Sequence, residues 1–251
     1  MKKFELTSET IIIFGNKTLF RIRALIDFGN VKVGDLGGFV EKEDNLSMSG
    51  NSWVYDDACV YGNAEVSGNA WVCGNAKVYG NARVSSNAEV YGNAEVSGNA
   101  WVYGDSRVYD NAWVYDNAWV SSDARVYGNA RVYDNAWVYG NAMVYGNAWV
   151  YGDTWVYGDA EVSGNAWVYG DAEVYGNAEV SGNADYTTIK GFGTVFRTTT
   201  FFRCKDELVR VSCGCFYGTI DEFRNQVKKT REGKIAKEYL MIADLMEEHF
   251  R

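Results

Sequence analysis

The sequence predicts a mainly β protein built around a parallel β-solenoid of triangular, 18-residue coils. Three observations carry this. One six-residue word, Ala-x-Val-Tyr/Ser-Gly-Asn, repeats without interruption from Met48 to Val180, and Val fills 22 of its 23 central slots. The chain has no proline, so no residue blocks a continuous ladder of backbone hydrogen bonds. The first corner position is Gly in 17 of the 23 words, and the second is Asn or Asp in all of them. A strict short period means stacked units, each of which buries its apolar face only against its neighbours.

Within a word, Ala points in, x out, Val in and Tyr or Ser out, which is strand alternation. The two residues that follow tolerate a left-handed backbone, so each word reads as a short strand and a corner. Three words close one turn. Twenty-three words make just over seven turns, a prism of roughly 35 Å at ~4.8 Å per stacked strand.

An 18-residue turn stacks the outward residues in columns. On the first face the x column runs Glu65, Arg83, Trp101, Trp119, Trp137, Trp155, Glu173. On the second it includes Trp53, Trp71, Glu89, Arg107, Arg125 and Met143, beside a column of Tyr91, Tyr109, Tyr127 and Tyr145. The third carries Trp113, Arg131, Trp149 and Trp167, flanked by Tyr115, Tyr133, Tyr151 and Tyr169. All nine Trp occupy x slots and are expected to face outward. Contiguous exposed aromatic surface marks an interface, and Trp and Arg are residues that interfaces favour. The expected binding surface or oligomer seam is therefore Trp101, Trp119, Trp137, Trp155, Trp113, Trp149, Trp167, Tyr109, Tyr127, Tyr145, Arg107 and Arg125. The alternative is solvated stacking, in which adjacent rings shield one another.

A solenoid of residues 48–185 needs capped ends. Residues 1–47 read as an N-terminal β cap. Ile11–Phe14 and Leu19–Ile26 are strands about a turn at Gly15-Asn16-Lys17, and a further turn falls at Gly34-Asp35. Residues 186–251 read as a small α+β module, either docked on the prism end or serving oligomerisation. Thr194–Cys204 and Leu208–Cys213 form a hairpin across Lys205-Asp206-Glu207. Thr219-Ile220-Asp221-Glu222 is a capping box that opens a helix. Gly233 breaks that helix, and a second follows with Ile235, Tyr239, Ile242 and Met246 on one stripe.

The net charge of −9 is uneven. Residues 47–185 hold 5 bases against 17 acids, and residues 186–251 hold 12 against 9. An acidic rod repels phosphate backbones, so non-specific nucleic-acid binding is not expected, while the basic tail suits a small anionic ligand. No apolar run long enough for a membrane span and no secretory leader are present, so a cytoplasmic protein is expected. The five cysteines form no disulfide framework.

Residues for catalysis are sparse. The single histidine is His249, so neither a Ser–His nor a Cys–His relay forms elsewhere. Cys204, Cys213 and Cys215 are the metal-ligand candidates within one chain, and His249 from three subunits on an axis is a further one, for which a solvated His on a terminal helix is the preferred reading. The cysteines' C-x8-C-x-C spacing lacks the paired knuckles of zinc sites, and buried structural cysteines are the preferred reading. No cofactor is expected.

The six-residue pattern resembles the left-handed parallel β-helix of hexapeptide-repeat proteins, and the left-handed sense is taken from that resemblance. The best-known members are acyltransferases, which use a histidine base and a loop that interrupts the coils. Here nothing interrupts Met48–Val180. The hexapeptide-fold carbonic anhydrases need several histidines. Three flanking segments add to the resemblance: Leu19-Phe20-Arg21-Ile22-Arg23-Ala24-Leu25, Gly34-Asp35-Leu36-Gly37-Gly38-Phe39, and Val211-Ser212-Cys213-Gly214-Cys215-Phe216-Tyr217-Gly218-Thr219. With the solenoid they resemble hexapeptide-repeat proteins of bacteriophages and prophages, often labelled polymer-forming or acetyltransferase-like. The resemblance implies a phage source and action on a host component. The expectation is a non-enzymatic accessory scaffold that binds a partner through its aromatic faces or end module, sequestering or inhibiting a host defence factor. The alternatives are a self-assembling dimer or trimer and a degenerate acyltransferase.

Overall fold

Twenty-two two-residue strands, from Trp53–Val54 to Glu179–Val180, stack in parallel at an 18-residue interval. The structure, a computed structural model, describes residues 2–251. The strands form three sheets, one per prism face. The coil spacing follows from backbone bonding: Trp119 N–H donates to the Ala136 carbonyl at 2.9 Å, and Ser121 N–H to that of Val138 at 3.0 Å. Every Val slot from Val54 to Val180 is fully buried, as are the Ala slots. Each buried Val contributes about 1.5–3 kcal/mol relative to exposure. Three Ala slots hold hydroxyls, and Ser52 Oγ accepts from Lys3 Nζ at 3.3 Å. Ser106 Oγ donates to the Tyr103 carbonyl at 2.8 Å, and Thr154 Oγ1 to that of Tyr151 at 2.7 Å.

The corners correct one expectation. Only the first corner residue is left-handed, in 22 of the 23 words; Asp56, Ser86, Asp110, Asp116, Ser122 and Asp134 do this with φ between 52° and 60°. The second, Asn or Asp, has ordinary φ and serves another purpose, described below.

The N-terminal cap is an extension of the third face. Leu36–Val40 pairs in parallel with Cys59–Val60 and antiparallel with Lys17–Ala24, which in turn pairs with Phe4–Ile13. Gly37 and Gly38 permit this approach, because a Cβ on either would lie 2.5 Å from the carbonyl oxygen of Val54 or Ala58. The cap also corrects the reading of Trp53 as outward-facing. Phe4 and Phe28 meet its ring edge-on, with centroids at 6.2 and 5.3 Å, and leave it 1% exposed. Lys3 is buried here too. Its Nζ donates to the Ser52 carbonyl at 3.0 Å and lies 4.9 Å from the Phe28 ring, and burial lowers its pKa to about 8.

The C-terminal module is a four-stranded antiparallel sheet and two helices. Its strands are Tyr186–Phe192, Arg197–Arg203, Val209–Cys213 and Phe216–Thr219. Alternation along Arg197–Arg203 makes this sheet the second cap. Phe202 joins the prism core with Tyr186 and Cys204, while Phe201 packs with Phe223, Val227, Tyr239 and Ile242 of the helices. Helix α1 (Ile220–Thr230) opens with the capping box: Thr219 Oγ1 accepts from Glu222 N–H at 3.2 Å, and Glu222 Oε2 from Thr219 N–H at 2.8 Å. Helix α2 (Gly233–His249) buries Tyr239, Ile242 and Met246. No helix among the described residues is long and apolar enough to cross a membrane.

Candidate interaction surfaces

The x columns form two continuous ridges. On the first face Trp101, Trp119, Trp137 and Trp155 stack with centroids 5.0, 4.7 and 5.4 Å apart and planes within 9° of parallel. The Arg83 guanidinium caps this stack, 4.9 Å over Trp101. On the third face Arg131 sits between Trp113 and Trp149, at 5.1 and 4.8 Å, and Trp149 stacks on Trp167 at 5.1 Å. The coil repeat causes this: parallel in-register pairing sets each ring directly over the ring 18 residues before it.

Stacking determines what the ridges present. Inside a stack each ring's two faces are occupied by its neighbours, so the solvent meets indole edges, whereas Trp113, Trp155 and Trp167 have a ring or guanidinium on one face only. Trp113, Trp155 and Trp167 remain 41–44% exposed, while Trp101, Trp119, Trp137 and Trp149 are half-buried. Tyrosines lock the indoles laterally, as Tyr103, Tyr133 and Tyr139 pack edge-on against Trp119, Trp149 and Trp155.

The second face differs. Tyr91, Tyr109, Tyr127 and Tyr145 stack at 4.8–4.9 Å. Beside them Arg107 pairs with Glu89 at 3.4 Å, and the Tyr145 hydroxyl donates to Glu161 at 3.1 Å. Arg125 lies between Arg107 and Met143 in the strand register. Burial pushes phenols up in pKa along the ladders, Tyr61 and Tyr133 to about 12. They stay protonated at neutral pH.

Between the faces run asparagine ladders that sequence reasoning missed. Asn63, Asn81, Asn99, Asn117 and Asn135 each donate from Nδ2 to Oδ1 of the residue 18 positions on, at 2.9–3.2 Å, and the ladder ends on Asp153. An Asp can accept such a bond but has no donor to pass on. The signal available was the constancy of Asn/Asp at the second corner, while the first tolerates Gly, Ser and Asp.

The tail cysteines separate. Cys204 is buried against the last coil, bridged to Ala178, and burial raises its thiol to about 11. Cys213 and Cys215 instead line a cleft of about 440 Å³ between the sheet and the helices. No group of three His, Cys, Asp or Glu side chains among the described residues is placed to hold a metal ion. His249 lies edge-on to Phe250 at 5.0 Å.

Residues 106–122, 124–140 and 136–152 match a family model described as the YdcK beta solenoid repeat. These stretches span under a fifth of the chain and lie wholly within the coils. The similarity therefore concerns the repeating architecture. No curated protein matches the chain.

Proposed function

We propose that the protein is a rigid, non-catalytic scaffold that binds another protein through the paired tryptophan ridges of its first and third faces. The observation that carries this reading is their continuity: four indoles span about 15 Å on the first face, and an unbroken Trp-Arg-Trp-Trp column occupies the third. A ridge already locked by stacking loses little side-chain entropy on binding. Along the interior of the stacks, indole edges suit a flat protein surface better than a sugar or base, which would need open ring faces. The acidic solenoid favours a partner whose apolar patch is rimmed by basic residues. In the phage or prophage setting that the flanking segments imply, the partner is a host protein that the scaffold sequesters or blocks.

Self-assembly is the second reading. It draws on the shared Trp and Arg chemistry of the two ridges, which lets one copy's face pack on another's. The test is light scattering over a wide concentration range, with capture from host lysate, for wild type and a Trp119→Gln/Trp137→Gln variant. A monomer that retains a lysate protein, and loses it in the variant, supports the scaffold. An oligomer that the variant dissociates moves the assignment to self-assembly. Identical capture and mass for both proteins refute ridge binding, and acyl-CoA binding would revive the acyltransferase reading.

A further inference from the structure

The C-terminal module holds six arginines, and four of them are neutralised locally. Arg203 pairs with Asp185, Arg210 with Asp206, Arg224 with Asp221, Asp244 and Glu247, and Arg251 with Glu248. Arg197 and Arg231 have no carboxylate partner among the described residues, and both line the 440 Å³ cleft that also takes in Cys213 and Cys215. The lining includes no acidic residue. Phe216, Phe223, Val227 and Tyr239 give it apolar walls. In a chain of net charge −9, two uncompensated guanidiniums beside an aromatic wall form a positive site.

The placement of Arg197 is built in. Gly214 adopts φ +62°, and a Cβ there would lie 2.0 Å from Arg197 Nη1, so the guanidinium rests over backbone that only glycine leaves open. Arg231 sits at the C-terminal end of α1, its Nη1 donating to the Thr230 carbonyl at 3.3 Å. Both charges act on one group. Burial and then Cys213 raise the pKa of the Tyr239 phenol, while Arg231 and Arg197 pull it back down.

We infer that this cleft binds a small organic anion, its phosphate or carboxylate head held by Arg197 and Arg231 and its apolar body against Phe216, Phe223 and Tyr239. The volume falls in the range of small-ligand pockets, which combine apolar walls with a few placed polar groups. Guanidinium forks match the planar oxygens of either head. The site is independent of the ridges and does not depend on the scaffold assignment.

The experiment is calorimetric titration of the full chain with phenyl phosphate, benzoate and phenol. The expected result is binding of at least one anion but not of phenol, weakened by added salt. The stronger anion identifies the head group. Arg197→Gln and Arg231→Gln should each weaken binding about tenfold or more, since a charge-assisted hydrogen bond contributes roughly 1.5–3 kcal/mol. Gly214→Ala should weaken it too, by displacing Arg197. Lys237→Gln removes the same charge outside the cleft and should change affinity less than about twofold. All four sites are on the surface or glycine, and an unchanged far-ultraviolet spectrum establishes folding. No binding of either anion at millimolar concentration, phenol binding as well as the anions, or equal losses in Lys237→Gln would overturn the inference.

Discussion

A hydroxyl placed in the prism core should be tolerated in one slot and costly two residues away. Thr at position 138 would keep the shape of Val138 but replace a methyl with a hydroxyl, in a fully buried slot stacked between Val120 and Val156. In mid-strand the carbonyls lie in the sheet and point along the stack, where the Val138 carbonyl accepts from Ser121, while the side chain stands perpendicular to the sheet and meets only Val neighbours. An unsatisfied buried hydroxyl costs about 1–3 kcal/mol, so Val138→Thr should lose about 2 kcal/mol. Ser at position 136 meets a different environment. By analogy with Ser106 and Thr154, whose hydroxyls lie 2.8 and 2.7 Å from the carbonyl three residues back, it would bond the Tyr133 carbonyl. Ala136→Ser should therefore stay within about 0.5 kcal/mol of wild type.

Urea unfolding measures both variants. For a chain of this size the difference corresponds to a melting-temperature separation of about 4–8 °C. The reasoning fails if the two variants unfold within about 0.5 kcal/mol of each other. Equal large losses would mean the Ala slot cannot accept a hydroxyl outside its natural sites; equal small losses would mean the core is loosely packed or wet.

Gly37→Ala and Gly38→Ala should each cost at least about 2 kcal/mol in urea unfolding, because the added Cβ strikes main-chain oxygens that cannot move alone. Asn117→Ala removes the bond accepted from Asn99 and the one donated to Asn135, and should lower stability by about 1–2 kcal/mol, whereas the same change at the exposed Lys237 should leave the urea midpoint unaltered. Lys3 has a depressed pKa, so its burial penalty is fully present below about 8 and is relieved as pH rises towards the unfolded value of 10.5. The stability of wild type relative to Lys3→Met should accordingly climb through that window, and a flat difference would refute the burial of a charged Lys3. Tyr61, Tyr133 and Tyr217 have raised pKa values near 12, so their contribution is complete below pH 10 and disappears as pH rises through 12; urea midpoints should fall steeply there.

The architecture was legible because period and geometry are the same fact in a solenoid. A six-residue word sets the strand, and the 18-residue register then fixes every column, so the Trp101–Trp155 stack can be read directly from residue numbers. The asparagine ladders were not legible for a specific reason. Asn is favoured both by a left-handed backbone and by side-chain bonding along an edge, and only the φ angle separates the two causes. Trp53 looked like the other tryptophans because what hides it, Phe4 and Phe28, comes from a segment without period. In the tail the Arg197–Arg203 and Val209–Cys213 strands showed as runs rich in β-branched and aromatic residues about a turn. Tyr186–Phe192, rich in Thr and Gly, and the four-residue Phe216–Thr219 did not. The Arg197–Arg231 cleft has no motif at all, since its walls are assembled from positions dispersed between residues 197 and 239.

The placement of charge and caps leaves the lateral faces as the open surfaces of the solenoid. A stack of parallel coils would otherwise grow end to end, because each terminal coil offers unpaired backbone groups and apolar interior. Here the first coil is covered by Phe4, Phe28 and the Leu36–Val40 strand, and the last by Phe202 and Tyr186. The first-face ridge is bounded as well, by Arg83 at one end and Glu173 at the other, and Glu173 is engaged by the cap through Ser212 Oγ at 3.2 Å. A bounded ridge on a capped rod defines a patch of fixed length. Its indole spacing is set by the backbone and not by the side chains, so exchanging one ring alters its chemistry without moving its neighbours. On the proposed scaffold reading, partner specificity is written column by column into the x slots, which, apart from Trp53 under the cap, face outward.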